Sequence, residues 1–319
     1  MSKTTKVIDK KEKETPKKSL IAPNDSIKIT LKWNIIDPIY KKVVNKFAKN
    51  VKAEGFRVGK APFAIVEKSI GLEKIIDQVL QELIPQAYEE QIKKENKKPI
   101  TTPEFNPISL EKGNDWVLEA FFSPIPEVKL GDYKKVTKKA KAEALIFISK
   151  RNEEIKKEAE ACKNDAKDHD HAHSHQELDE NGKREINLQH IFKDLVKEFA
   201  PSIGEILLRQ ETQTEYERLI TQLKQYQISA EDYLKKRQIT IDQLSQELAG
   251  TVLSRLQLDF IMAEISKAEK IQVEDNEVKN ELAKFDEKMR LELEKNQNYL
   301  NQIKANLLQK KTLDLLLTF

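Results

Sequence analysis

"SIKITLKWN", Ser26 to Asn34, decides how the first half of the chain is built. Ile27, Ile29, Leu31 and Trp33 alternate with polar residues, and that period of two predicts a strand with one buried face. Farther on, "ISLEKGNDWVLEAFFSPIPEV" (Ile108 to Val128) predicts two more strands joined by a Lys-Gly-Asn turn. Between them the pattern changes to helical. Asp37 and Pro38 are expected to open a helix as N-cap and first-turn proline. Its apolar positions Val43, Val44, Phe47 and Val51 recur at helical spacing. "FAIVEKSIG" and "LEKIIDQVLQELIPQAYEEQIKKEN" predict two further helices, the second kinked or locally broken at Pro85. The result is an α+β unit with an antiparallel sheet, ending near Leu130.

Punctuation separates this unit from the rest of the chain. Ten of the 11 prolines lie between Pro16 and Pro126, and five of the 8 glycines lie in the same half. Proline interrupts helices and glycine loosens them, so the remainder is expected to be long helices. From Lys134 onward no strand pattern is left. Leu219, Leu223 and Tyr226 form one helical stripe; Leu253, Leu256, Phe260, Ile261 and Ile265 form a second. Val278, Leu282, Phe285, Met289 and Leu293 form a third. Ser229 and Thr240 are expected helix N-caps. The boundaries expected are a disordered basic tail over 1–20, an α+β domain over 21–133 and a helical, elongated domain over 134–319. A His-rich loop at about 163–185 interrupts the last.

Composition narrows the function classes. Of the 319 residues, 34% are charged, against roughly a quarter in an average domain. The formal net charge is nevertheless only +3, so global charge names no partner. One cysteine, Cys162, permits no internal disulfide and points to a reducing compartment. No apolar run is long enough to span a bilayer, and the basic N-terminus lacks the apolar core of a secretory signal. A cytoplasmic location is expected.

Local charge is more telling. From Lys41 to Lys60 there are seven Lys/Arg residues and one acid, Glu54. This basic stretch leads into "EGFRVGKAP", Glu54 to Pro62. A phosphate-cradling loop needs four residues between its first glycine and Gly-Lys, then Ser or Thr to hold magnesium. Here three intervene, Ala61 follows Lys60, and a basic helix stands where a strand should precede. Nucleotide binding is set aside. Two readings remain: a plain surface turn with Phe56 tucked against its helix, or a docking loop. A docking loop would offer long-range attraction, one aromatic anchor and one bidentate cation. Such a tip suits a surface carrying RNA phosphate and protein carboxylates. Charge pattern alone favours the plain turn.

"DHDHAHSH" places His169, His171, His173 and His175 at alternate positions. Imidazoles at that spacing can share zinc, nickel or copper, but a built site needs a framework and fixed outer partners. In a polar segment, adventitious binding is the expectation, so these four histidines are weak candidates and no metal site or cofactor is assigned. His190 has no nucleophile motif beside it, and no catalytic residue is assigned.

The chain resembles bacterial trigger factor, the ribosome-associated chaperone family. The resemblance is carried by "IKITL", "EGFRVGKAPFAIVEKSIG", "LQELIPQAYEEQIKKENKKPI" and "FSPIPEVKLGDYKKV". It continues in "EDYLKKRQITIDQLSQEL", "AEISKAEKIQVEDNEV" and "KKTLDLLL". It implies an N-terminal domain that docks beside the nascent-chain exit, and a helical body that shields emerging polypeptide without ATP. It implies as partners the large ribosomal subunit, through protein and ribosomal RNA, and unfolded nascent chains, with no membrane. A homodimer away from the ribosome is compatible with it. Carried over by position, the ribosome-binding residues are Gly55, Phe56, Arg57, Gly59, Lys60 and Pro62. One departure is Val58, where the family commonly has lysine.

A second departure is larger. The family usually carries a prolyl isomerase domain between docking domain and helical body. Between Val136 and Ile186 this chain has about fifty residues, with Gly182 the sole glycine and Phe147 the sole aromatic. No strand-built aromatic pocket fits that composition. The domain is expected to be absent and the protein not to be an enzyme. The competing expectations are isomerase activity kept in reduced form, and an assembly chaperone that works off the ribosome.

Overall fold

The computed structural model describes residues 19–50, 52, 55–57, 59–164 and 178–319, with the backbone alone for 158–164. In chain order the first elements are β1 (Ile21–Ala22), β2 (Asp25–Leu31), α1 (Trp33–Ala48), α2 (Phe63–Ile70), α3 (Leu72–Lys94), β3 (Glu104–Ser109) and β4 (Trp116–Phe122). The helical part comprises α4 (Tyr133–Asn164), α5 (Glu180–Phe199), α6 (Glu205–Gln225), α7 (Ala230–Arg237) and α8 (Ile241–Ala268). It ends with α9 (Asp275–Leu282), α10 (Glu287–Leu293) and α11 (Gln297–Thr318), and a two-residue strand, β5 (Ile203–Gly204), precedes α6.

The alternation in β2 has the expected consequence. Strands β2, β4 and β3 form an antiparallel sheet in that order, with Ile27, Ile29 and Leu31 opposite Ala120, Leu118 and Trp116. All six side chains are buried on one face, beneath Ile36, Tyr40, Val43 and Val44 of α1 and Ile75 and Val79 of α3. Each large apolar side chain removed from water there contributes about 1.5–3 kcal/mol. The edge strand β3 carries Pro107 and a register shift between Pro107 and Ser109, which blunts an otherwise open edge.

Several expectations are corrected. Helix α1 begins at Trp33 rather than after Asp37 and Pro38, so Trp33 leaves the strand pattern. The reason is tertiary: Asp115, in the β3–β4 turn, accepts from the Trp33 N–H at 2.8 Å and from Lys32 Nζ at 2.8 Å. That carboxylate caps the helix from across the sheet, and Pro38 is carried inside it. Asp37 pairs instead with Lys41, 2.6 Å away and one turn on. Helix α3 runs unbroken through Pro85. The segment expected as a loop at 163–185 is helical at both ends. Helix α4 reaches Asn164, and α5 starts at Glu180 because the Asp179 carboxylate accepts from the Gly182 N–H at 2.8 Å. The third stripe is split between α9 and α10, leaving Phe285 and Met289 exposed while Val278 and Leu282 pack on Ile303. Tyr226 stands outside its stripe, exposed just past α6, although Leu223 is buried. Ser229 and Thr240 do cap α7 and α8.

The main core of the helical part joins α4, α5, α8 and α11 through Tyr133, Ala140, Ile191, Leu195, Ile261, Met262, Ile265 and Leu316. The apolar C-terminal run belongs to it, since Leu313, Leu317 and Phe319 pack on the same cluster. Ser266 and Thr312 meet inside it, 2.7 Å apart, so one hydroxyl donates to the other, which in turn donates to a carbonyl of its own helix, Met262 O or Leu308 O.

Strand β5 contradicts the expectation of no strand beyond Lys134. It pairs in parallel with β1 and stitches the beginning of the chain to the helical part. Gly204 lies so close to Ser123 that a β-carbon there would fall 2.1 Å from Ser123 Oγ. Asn24 Oδ1 accepts from the Ile206 N–H at 3.0 Å, and Ser123 Oγ accepts from the Leu207 N–H at 3.3 Å. The first N–H groups of α6 are thus satisfied by the α+β unit. Arg209 adds an ion pair to Glu104 at 2.6 Å, and Gln210 donates to Thr102 O at 2.9 Å.

Candidate functional site

The loop singled out by sequence connects α1 to α2. Gly55 and Gly59 have φ of +78° and +80°, in the left-handed region that costs glycine nothing. The Lys60 N–H donates to Arg57 O at 2.9 Å, closing a tight turn over the tip. Phe56 keeps 42% of its surface in water, and Arg57 and Lys60 are exposed. Among the described residues neither cation has an ion-pair partner. Pro62 sits at the N-cap position of α2. Gly55, Phe56, Arg57, Gly59, Lys60 and Pro62 all lie in this one connection. Val58 and Glu54 lie outside the described residues, as do His169, His171, His173 and His175.

Leading into the loop are the lysines of α1 and of the residues just after it. Lys41 and Lys42 are paired, the latter with Glu82 at 2.9 Å, whereas Lys46, Lys49 and Lys52 are exposed without an ion-pair partner among the described residues. The arrangement offers an exposed ring and guanidinium, with exposed ammonium groups nearby in sequence.

Sequence reasoning missed the group beneath the loop. Tyr40 Oη donates to Glu67 Oε1 at 2.5 Å, and Lys112 Nζ, from the β3–β4 turn, donates to the same oxygen. Lys112 also lies over the rings of Tyr40, at 5.3 Å, and Phe63, at 6.0 Å. Burial works against the charge on Glu67. The bonds from Lys112 and Tyr40 outweigh it and hold the carboxyl below its usual range. Burial first, and then the Glu67 carboxylate, push the Tyr40 phenol well above its usual value. No local pattern signals this contact, since its three residues come from three elements.

The helical part presents apolar surface of a different kind. Leu145, Ile146 and Phe147 are exposed on α4, Phe147 at the edge of the face that carries buried Ala140, Ala144 and Ile148, with its ring 5.7 Å from that of His190 on α5. Phe285, Met289 and Leu291 are exposed around α10. Between α6 and α8 runs a groove of about 560 Å3, lined by Leu208, Tyr216, Ile241 and Leu248 with Glu205 and Arg209 among its polar contributors. Shallow, mixed surfaces of this sort hold apolar segments reversibly and with little sequence preference. Among the described residues no helix is long and apolar enough to cross a membrane.

Comparison with known proteins bears on both regions. Residues 14–160 match the family described as bacterial trigger factor protein (TF), and residues 172–318 match bacterial trigger factor protein (TF) C-terminus. A trigger factor of Staphylococcus epidermidis (strain ATCC 12228 / FDA PCI 1200) is 41% identical over 99 residues, 31% of this chain and 22% of that protein. One from Streptococcus sanguinis (strain SK36) is 35% identical over 123 residues, 39% of this chain and 29% of that protein. The chain thus spans less than a third of the length of these curated relatives. A solved trigger factor chaperone, described for promiscuous substrate recognition in folding and assembly activities, superposes with a TM-score of 0.56. That match covers 93% of this chain and 97% of the other at 13% identity, and it speaks to the fold.

Proposed function

From the premise that the chain belongs to the bacterial trigger factor family, we propose that it is an ATP-independent chaperone. It docks at the nascent-chain exit of the large ribosomal subunit and shields emerging polypeptide in the cytoplasm. The observation that carries this reading is the Phe56–Arg57 tip, held out between two left-handed glycines near exposed lysines that have no ion-pair partner among the described residues. Phe56 supplies the desolvated anchor, and Arg57 a planar fork for phosphate or carboxylate. Lys46, Lys49, Lys52 and Lys60 supply attraction to ribosomal RNA. The exposed apolar residues of α4 and α10 and the α6–α8 groove cover nascent segments. At about 25 cal/mol per Å2, small contacts there release as readily as they form.

The chaperone role is read without prolyl isomerase activity. Helices α4 and α5 occupy the interval between the two units except for residues 165–177. That stretch is far shorter than the roughly 40 residues a domain needs to fold alone. A proline-peptide exchange assay with catalytic amounts of protein should show the uncatalysed rate. Any acceleration that scales with protein would refute this part. Docking is tested by co-sedimentation with ribosomes, comparing wild type with Phe56→Ala/Arg57→Ala. The double variant should stay in the supernatant while its circular dichroism matches wild type; equal pelleting would remove the docking assignment.

A further inference from the structure

Among the described residues, the docking loop has few contacts of its own. From Gly55 to Pro62, among the described residues, one backbone hydrogen bond lies within it, Lys60 N–H to Arg57 O. Its pose depends on the ends it hangs from, α1 and α2. Those two helices meet at Glu67. Its carboxylate takes the Tyr40 hydroxyl from α1 and the Lys112 ammonium from the β3–β4 turn. Lys112 also faces the ring of Phe63, the first residue of α2 and the next after Pro62.

The turn that carries Lys112 is fixed in its own right. Trp116 Nε1 donates to Glu111 O at 3.1 Å on one side of it. On the other side Asp115 caps α1 at Trp33. One short turn thus holds the start of α1 and grips α2, the two elements between which the loop is slung. Packing alone does not call for this. Tyr40 is 1% exposed among apolar neighbours, where phenylalanine would bury the same ring without needing a partner. A polar three-way contact in such a place fixes orientation, because only one arrangement satisfies all its members.

We infer that Tyr40, Glu67 and Lys112 are positioning residues that set the pose of the Phe56–Arg57 tip for its ribosomal surface. The inference rests on the docking-loop reading. The sign of the Glu67→Gln effect separates positioning from charge. Removing an acid near a basic face should, by long-range attraction alone, tighten binding to RNA. Loss of positioning should weaken it.

The test uses the full chain and purified bacterial ribosomes, with affinity measured by co-sedimentation across a salt series. Glu67→Gln and Lys112→Met are each expected to bind about tenfold more weakly, the equivalent of about one hydrogen bond to a charged group. Lys112→Arg should keep most of the affinity. The slope of log affinity against log salt should stay at the wild-type value in Glu67→Gln and Lys112→Met. A slope lowered by about one in Lys112→Met would mean a direct phosphate contact and would overturn the positioning role. In a Phe56→Ala/Arg57→Ala background, Glu67→Gln should add no further loss; an additive loss would show that it acts elsewhere. Tyr40→Phe keeps the ring and removes one bond, so it reports even if another variant unfolds. Wild-type affinity in both Glu67→Gln and Tyr40→Phe would sink the inference alone. Wild-type affinity in Phe56→Ala/Arg57→Ala would remove the docking reading and this inference together.

Discussion

Consider Gly204→Ala, at the seam between the α+β unit and the helical part. The backbone there has φ −62° and ψ 139°, extended values that any residue adopts, so no dihedral strain arises. The penalty is steric. The new methyl would lie 2.1 Å from Ser123 Oγ and 2.8 Å from Ser123 Cβ, both well inside contact distance. Rotating the Ser123 hydroxyl away relieves the first clash but gives up its bond from the Leu207 N–H. The second clash stays unless the backbone moves. Overpacking of this kind costs about 1–3 kcal/mol, and a lost hydrogen bond adds ~1 kcal/mol. With urea sensitivities of about 1–3 kcal/mol per molar, the helical transition should shift down by roughly 1 M. The two tryptophans, Trp33 and Trp116, both lie in the α+β unit, so their fluorescence follows that unit. Far-UV circular dichroism is dominated by the helices. In Gly204→Ala the dichroism midpoint should fall further than the fluorescence midpoint, since the three-stranded sheet does not include Gly204. Adding Ser123→Gly removes both clashing atoms and should recover most of the loss. Unchanged midpoints in Gly204→Ala, or no recovery in the double variant, would refute the steric reasoning.

Three further outcomes are expected. Gly250→Ala, inside α8 with open space at its β-carbon, should stabilise the helical part by about 0.5–1 kcal/mol in the same titration. Thr312→Val and Ser266→Ala should each cost about 0.5–1.5 kcal/mol, and the double variant less than their sum, because the two hydroxyls bond each other. The Glu67 carboxyl is held below its usual range in the fold, so its stabilisation is present above the unfolded value, about 4.3. It is lost as pH falls through the lower folded value. The stability gap between wild type and Glu67→Gln should accordingly be full at neutral pH and close in acid.

Much of the fold was legible because apolar periodicity and burial share a cause. The alternation of Ile27, Ile29 and Leu31 is the buried face of a sheet, and Ser229 and Thr240 mark helix starts by side-chain chemistry that acts locally. Illegible features depend on distant residues. Asp37–Pro38 is a sound helix start by local rules, yet Asp115, far along the chain, caps the helix earlier. Helix ends were hidden for another reason. Asn96, Gln227, Gln238 and Lys270 take the left-handed cap position where glycine would be the visible sign. Each is followed by a residue whose N–H returns to the last turn, as Ile228 does to Leu223 O and Ile271 to Ser266 O. The tip residues were legible as a motif, but their exposure was not. The Tyr40–Glu67–Lys112 contact had no local signal at all.

The pairing of β1 with β5 also has a bearing on how the molecule is made. Asn24 and Glu205, which meet at this seam, are 181 residues apart in sequence. Synthesis is vectorial, so β2, β3 and β4 can close their sheet as soon as Phe122 has been released. The segment just before that sheet, Ile21 and Ala22, has no strand to pair with until Ile203 and Gly204 are made. The earliest strand among the described residues is therefore among the last to find its place. Until then Asn24 and Ser123 wait, solvated, for the N-terminus of a helix not yet translated. A newborn copy of this protein passes through a stage in which its α+β unit is folded and its own seam is still open.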